Sequence, residues 1–330
     1  MGVKVTISNK NSSKSIAIIG ASGFIGSNLA NYLVSLGKYE VSGSYFTAPS
    51  NFVSNEVKQI HVDCQNLESI KKFLGNHEVA IMCAAKTSGA GVIADSPLVH
   101  LYQNMIMNTL TLQAAHEVGI KRFIFLSSNT VYPPGEKAMK EGDENDTYFP
   151  SYEVVATMKR NTERICLLYP SLKTRPMDVR IVRPANSYGP NDKFDPKLSH
   201  VIPALISKML AANEILEVWG DGKDIKDFIF IEDLIEGIEK IIGYQGEERI
   251  FNLVSEVETT IVMILEILKS LTNKPNLHFK FDKSKPKMIP IRRLSGMLAE
   301  RELNFRAQIS LEEGLRRTLN WYLINRHELS

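Results

Sequence analysis

From Ser15 the chain becomes abruptly apolar. Ile16–Ile19 forms a short continuous hydrophobic run, followed by a glycine-rich turn and then by Ile25, Leu29 and Leu33 at helical spacing, which predicts a strand, a turn and a helix. Tyr39–Ser44, Gln59–Val62 and Val79–Cys83 read as a second, third and fourth strand, with helical stretches such as Leu67–Leu74 between them. The helical stretch Leu101–Val118 leads into Arg122–Ser127, whose apolar run Phe123–Leu126 ends in a hydroxyl-rich tip. Val179–Val182 repeats the theme after another long helix. Continuous apolar runs alternating with helices predict a parallel sheet covered on both faces.

Beyond Arg183 the alternation loosens. Short runs remain at Ile229–Ile231 and Ile250–Leu253, with helices around Val201–Leu210 and Val262–Leu271, and this predicts a smaller lobe whose chain returns to the sheet at least once. No internal repeat, low-complexity segment or long Gly/Ser linker separates the lobes, so they are expected to share a rigid cleft.

Composition narrows the field without naming a chemistry. A chain of 330 residues, 44% hydrophobic and 23% charged, buries a substantial core as one large domain or two intimate ones. Its 39 Lys and Arg against 37 Asp and Glu leave a net charge of +2, with no block of either sign, which argues against nucleic acid or a membrane surface as partner. Cys64, Cys83 and Cys166 are widely spaced and have no Cys or His at metal-ligand spacing, so they read as buried thiols in a reducing compartment and no metal site is expected. There is no apolar stretch of about 18 residues and no hydrophobic segment in the polar opening Met1–Ser15, so a soluble cytoplasmic protein is expected.

The first candidate site is the turn after the first strand. Gly20, Gly23 and Gly26 are spaced G-x-x-G-x-x-G where a helix begins. Glycine lets the backbone turn sharply and approach a pyrophosphate, whose charge the helix amides then hold; Ser22, Phe24 and Ile25 belong to the same turn. The alternative is a tight turn without ligand. Asp63, beyond the third strand, suits an adenine amino group or an ordinary turn. After the second strand, Tyr45 stands where an NAD enzyme has Asp or Glu, and no Arg cluster for a 2′-phosphate lies between Ser44 and Val57. Because an unpaired buried phosphate is the costlier misfit, NAD is favoured and NADP stays open.

At this point the chain resembles the extended short-chain dehydrogenase/reductase family (NAD-dependent epimerases and dehydratases) over nearly its whole length. Cys83-Ala84-Ala85-Lys86 resembles the cofactor loop, Ser127-Ser128-Asn129-Thr130-Val131-Tyr132 the strand of the catalytic hydroxyl, and Arg183-Pro184-Ala185-Asn186-Ser187-Tyr188-Gly189-Pro190 the substrate turn. Tyr188–Phe194, Ser199–Leu205, and Val218-Trp219-Gly220 with Asp227-Phe228 carry the likeness toward GDP-fucose synthase and GDP-sugar (heptose) 4-dehydrogenase-type enzymes; Ser310–Leu315 and Trp321-Tyr322 are less discriminating. The resemblance implies a Rossmann-type doubly wound α/β fold. A dinucleotide-binding domain would span 1–182, with the chain returning around 225–254, and a nucleotide-sugar-binding lobe 183–330.

In this family a Tyr and a Lys one helical turn apart move the proton of the reacting hydroxyl. Lys159, followed by Glu163, takes the Lys register, and Val155 then stands in the Tyr place. The resemblance leaves Ser128, with Thr130, and Tyr152 as candidates to share the proton work with Lys159, Tyr148 being weaker; Ala84, Ala85, Lys86 and Lys159 would contact cofactor. Asn186, His200, Trp219, Lys226 and Arg292 (or Arg293) are carried over as substrate residues, with packing, capping or surface exposure as the alternatives. Asn129 and Thr130 stand where the GDP-fucose synthases have an epimerising Cys. The expectation is therefore hydride exchange between NAD and C4 of a GDP-linked hexose or heptose, in surface (capsule) polysaccharide sugar synthesis. The rivals are an epimerase/reductase of the GDP-fucose synthase kind and a catalytically silent nucleotide-sugar-binding subunit. By resemblance, Leu101–Val118 and Val154–Leu168 would pair subunits into a homodimer or tetramer.

Overall fold

Side chains that alternate between two cores build the centre of the molecule. Ile16 and Ile18 join one buried cluster and Ala17 and Ile19 the other, as the twofold period of a strand requires when both faces are covered. The computed structural model describes residues 14–87, 96–195, 199–284 and 289–328, so most of the polar opening segment lies outside the described residues. Its central sheet has seven parallel strands: β1 (Lys14–Ile19), β2 (Tyr39–Tyr45), β3 (Lys58–His61), β4 (Val79–Met82), β5 (Arg122–Leu126), β6 (Asp178–Pro184) and β7 (Ile250–Leu253). Their spatial order is β7-β6-β5-β4-β1-β2-β3. The chain winds outward from β1 to β3, crosses back, and winds the other way from β4, which puts the topological switch between β1 and β4.

The helices among the described residues are α1 (Phe24–Ser35), α2 (Leu67–Leu74), α3 (Leu101–Val118), α4 (Glu153–Cys166), α5 (Val201–Ala211), α6 (Ile231–Gly243), α7 (Ile261–Leu271), α8 (Met297–Leu303) and α9 (Leu311–Asn325). Leu29 and Leu33 of α1 and Ile238 of α6 cover one sheet face, while Phe73 of α2, Leu112 of α3 and Cys166 of α4 cover the other. Local signals set several ends. Gly119 takes the left-handed conformation (φ 86°) that closes α3, and the side chains of Asn66, Thr260 and Ser310 accept the first-turn amides of α2, α7 and α9.

The smaller lobe is held by short strand pairs. Ile215–Trp219 lies beside His278–Asp282, and Asn186–Tyr188 beside Phe228–Phe230; the expected run Ile229–Ile231 is thus split between that strand and the start of α6. Two motifs that sequence treats separately pack on each other here. A Cβ on Gly314 of α9 would lie 2.2 Å from the Tyr188 hydroxyl, so only glycine lets the helix seat on that turn. Phe194 stacks on Tyr322 with ring centroids 4.1 Å apart. No helix among the described residues is long and apolar enough to cross a membrane.

Candidate active site

The glycine turn sits at the switch point, where open parallel sheets bind ligands. Gly20 has φ 86°, and a Cβ there would lie 2.7 Å from the backbone of Ala84, so glycine is required both by the turn and by the approach of the loop after β4. A Cβ on Gly26 would meet the Gly20 carbonyl oxygen at 2.2 Å. Gly23 precedes α1 in extended conformation, and that helix end has neither a side-chain cap nor an acidic residue in its first turn. Its leading amides, Phe24 and Ile25 among them, are therefore left for an anion, which fits a pyrophosphate. The Phe24 side chain is buried in the core, so only its backbone faces that role, while Ser22 is exposed at the tip.

Neighbouring loops frame this turn. The Lys86 amide donates to Asn104 Oδ1 (2.8 Å), and its carbonyl accepts from Asn104 Nδ2 (3.0 Å) and meets His100 Nδ1 at 2.8 Å, which fixes the backbone after Ala84 and Ala85. From the far lobe, Pro190 accepts from Asn28 Nδ2 at 2.9 Å, and Lys193 Nζ donates to Thr87 Oγ1 at 3.2 Å. The segment Tyr188–Phe194 thus reaches across to the glycine turn and the cofactor loop. Asp63 Oδ1 accepts the Gln65 amide at 2.8 Å, the ordinary turn role weighed for it.

The catalytic candidates gather at the C-terminal end of β5. Lys159 Nζ donates to the Leu126 carbonyl at 2.7 Å and lies 4.9 Å from the Phe125 ring centroid. Burial pushes its amine down to about 8, against the pull of Glu163. Two residues past Leu126, Ser128 Oγ accepts both the Thr130 amide (3.2 Å) and the Thr130 hydroxyl (3.0 Å), a paired hydroxyl unit. Val155 lies four residues before Lys159 within α4, on the same face. Asn129 is turned away, its amide nitrogen donating to the Pro184 carbonyl at 3.1 Å.

Tyr152 corrects the expectation attached to it, which required the helix to have begun. Pro150–Tyr152 is a 3₁₀ turn and α4 begins at Glu153, so Tyr152 stands at the N-cap, ahead of the first turn of the Lys159 helix. Burial pushes its phenol up to about 12.

Beneath the site lies a buried ionic network. Glu163, fully buried, receives Arg183 Nε at 2.9 Å and Nη2 at 2.6 Å, and Ser127 Oγ at 2.5 Å. Arg183 Nη1 also reaches Glu144 (2.8 Å) and the Tyr132 hydroxyl (3.0 Å), which in turn donates to Asn252 Oδ1 at 2.7 Å. Tyr132 is therefore locked in structure, with its phenol held well above its ordinary value by burial.

Of the residues carried over for substrate, Lys226, Arg292 and Arg293 line one cavity of about 170 Å³, with Asp227, Glu256 and Glu258 among its walls. Arg292 is not a surface residue: it is 2% exposed and gives its terminal nitrogens to the Pro133 (2.9 Å) and Tyr132 (3.1 Å) carbonyls. Lys226 bonds Asp224 (3.1 Å) and the Ile289 carbonyl (3.2 Å), while Asn186 Nδ2 donates to the Asp227 carbonyl at 2.8 Å. His200 and Trp219 are not among the walls. His200 precedes α5, half-exposed, 3.5 Å from a buried carboxylate oxygen of Asp192. Trp219 is half-exposed, with the Lys208 ammonium 5.7 Å from its ring centroid.

The family model described as NAD dependent epimerase/dehydratase family matches residues 16–253. The chain belongs to that family. It is thus an NAD-dependent enzyme of the extended short-chain dehydrogenase/reductase kind, and the glycine turn lies within the matched residues. Similar curated proteins include GDP-L-fucose synthase of Sinorhizobium fredii, 29% identical over 274 residues spanning 80% of this chain and 85% of that protein. GDP-L-fucose synthase 1 of Arabidopsis thaliana is 30% identical over 253 residues, 74% of this chain and 76% of that one. The crystal structure of UDP-glucose 4-epimerase with UDP-glucose from Thermotoga maritima has the same fold, with a TM-score of 0.82 at 22% identity over 96% of this chain and 100% of that one.

Several residues around these candidates carry no signal in the sequence. Asn104, which clamps the cofactor loop, and Asn108 are buried polar residues one turn apart on α3. Asp192 beside His200 and the Arg183–Glu144 contact join residues that only the fold brings together.

Proposed function

We propose that the chain exchanges hydride between NAD and C4 of a GDP-linked hexose or heptose. The observation that carries this reading is the Ser128–Thr130 hydroxyl pair, at 3.0 Å, beside the strand end where Lys159 is bonded, with valine at position 155. Bound NAD supplies a hydride acceptor at its nicotinamide. The chain's own part is the proton. As the C4 carbinol becomes a ketone, the hydroxyl proton passes to the Ser128–Thr130 pair, and the Lys159 amine, brought down to about 8, receives it while holding the nicotinamide ribose. Val155 takes the place of the family's tyrosine in this reading, which makes the chemistry slow.

Asn129 supports oxidation or reduction without epimerisation, because its side chain is spent on the Pro184 carbonyl and cannot remove a carbon-bound proton. Lys226 and Arg293, on one cavity, support a diphosphate there, with Arg292 bracing the wall from the Pro133 and Tyr132 carbonyls. The exposed Tyr102 and Ile106 of α3 support a homodimer or tetramer formed through α3 and α4. The setting proposed is cytoplasmic synthesis of surface-polysaccharide sugars.

The test is absorbance of the reduced nicotinamide after mixing protein and NAD with GDP-, UDP-, CDP- and dTDP-sugars, with products identified by mass. A product two hydrogens lighter from a GDP-sugar supports the reading; sugar binding without turnover in either direction supports a silent subunit. One observation favours the epimerase/reductase alternative: the half-exposed imidazole of His200 lies 3.5 Å from the buried Asp192 carboxylate, which would orient it as an acid/base. Solvent deuterium appearing at C3 or C5 of a 4-keto sugar would establish that alternative.

A further inference from the structure

Phe46 follows the last residue of β2 with its side chain 61% exposed, stacked on the imidazole of His61 at a centroid distance of 5.9 Å and an interplanar angle of 22°. Tyr45 meets the same imidazole nearly edge-on at 5.7 Å. Core packing does not account for a large apolar ring left in water, and an aromatic ring backed on one face by an imidazole that Tyr45 in turn holds offers its other face to a flat ligand.

Its position identifies the ligand. Ser44, two residues earlier, ties the end of β2 to the glycine turn: its hydroxyl accepts the Gly20 amide at 2.9 Å and its carbonyl the Ala21 amide at 2.8 Å. A step of two extended residues, roughly 7 Å, carries the chain from that contact to Phe46. A dinucleotide whose pyrophosphate lies on the glycine turn extends its adenosine half over the end of the second strand. The same strand end carries no ribose-reading charge, since positions 45 and 46 are Tyr and Phe and no Lys or Arg lies between Ser44 and Val57.

We propose that Phe46, backed by His61, is the adenine-stacking platform of this site, and that the chain reads the ring face of the base in place of the ribose 2′-hydroxyl. The proposal rests on the assignment of the glycine turn to NAD. A π-face stacks equally on the base of NAD and of NADP, so the platform supplies affinity and leaves the choice between the two unchanged.

Isothermal titration of the full chain with NAD, NADP and AMP tests it. Phe46→Ala is expected to weaken NAD and NADP in the same proportion, about tenfold, and to weaken AMP likewise, while Phe46→Trp retains wild-type affinity. The melting temperature without ligand should not move, because the ring is mostly in water. A dissociation constant for NAD within twofold of wild type in Phe46→Ala, or a changed NAD-to-NADP ratio, overturns the platform. A wild-type chain that binds none of the three overturns the glycine-turn assignment itself and the platform with it.

Discussion

The side-chain amine of Lys159 donates to the main-chain carbonyl of Leu126 at 2.7 Å, which ties α4 to the end of β5 where the Ser128–Thr130 pair begins. Burial holds this amine at about 8 against an ordinary 10.5, so the folded chain gives up the proton more readily than the unfolded one. A neutral amine receives the substrate proton in the oxidative direction, and its population grows as pH rises through about 8. The rate of sugar oxidation is therefore expected to climb through that pH and level off above it. Lys159→Ala should lower kcat by about 100-fold or more and raise the dissociation constant for NAD. Steady-state rates against pH and NAD titration check both; an undiminished rate in Lys159→Ala would show that the helix has been assigned the wrong register.

Restoring a phenol one turn before Lys159 should speed the chemistry. Val155 shares the Lys159 face of α4, so Val155→Tyr places a hydroxyl where the Lys159 amine and the nicotinamide charge lower its pKa. An increase in kcat of about 10- to 100-fold is expected. Tyr152→Phe, altering a residue ahead of the helix, should change kcat by less than about threefold. A reversed order of effects would make Tyr152 the acid/base.

Removal of the hydroxyl relay should act on turnover more than on binding. Ser128 Oγ accepts the Thr130 hydroxyl at 3.0 Å, and neither side chain is fully buried, so Ser128→Ala and Thr130→Val leave the core intact. Each should lower kcat by about 100-fold with little change in the NAD dissociation constant. If the double variant is no slower than either single one, the two hydroxyls act as one unit.

Most of the sheet was legible because its strands are apolar on both faces, and Gly20 and Gly26 because their backbone neighbours leave no room for a Cβ. The contact of Ser128 with Thr130 follows from their closeness in the chain. The site was obscured where long-range packing decides. Arg292 and Arg293 read alike in sequence, yet one is buried on the carbonyls of Tyr132 and Pro133 and the other pairs with Glu258 at the surface. Asn104 and Asn108 carry the letters of a solvent face but are buried, and Asn104 instead holds the cofactor loop. Tyr152 missed the helix because Pro150 opens a separate 3₁₀ turn ahead of it.

The Glu163–Arg183 pair should dominate stability around the site. Both side chains are fully buried and joined by two hydrogen bonds of 2.9 and 2.6 Å, with Ser127 on the same carboxylate. Removing the Glu163 charge takes from Arg183 its two-pronged partner and leaves it only Glu144, so Glu163→Gln is expected to cost about 3 kcal/mol in denaturant unfolding. Arg183→Met should cost less, because Arg160 still reaches both Glu163 (3.1 Å) and Glu144 (3.3 Å). With both replaced, neither charge of the pair is left to be solvated, and the double variant should recover much of the loss, giving a coupling energy well above the sub-kilocalorie scale of a surface pair. Strict additivity of the two single losses would mean that the carboxylate and guanidinium do not depend on each other, and that Arg183 is held chiefly by Glu144 and Tyr132.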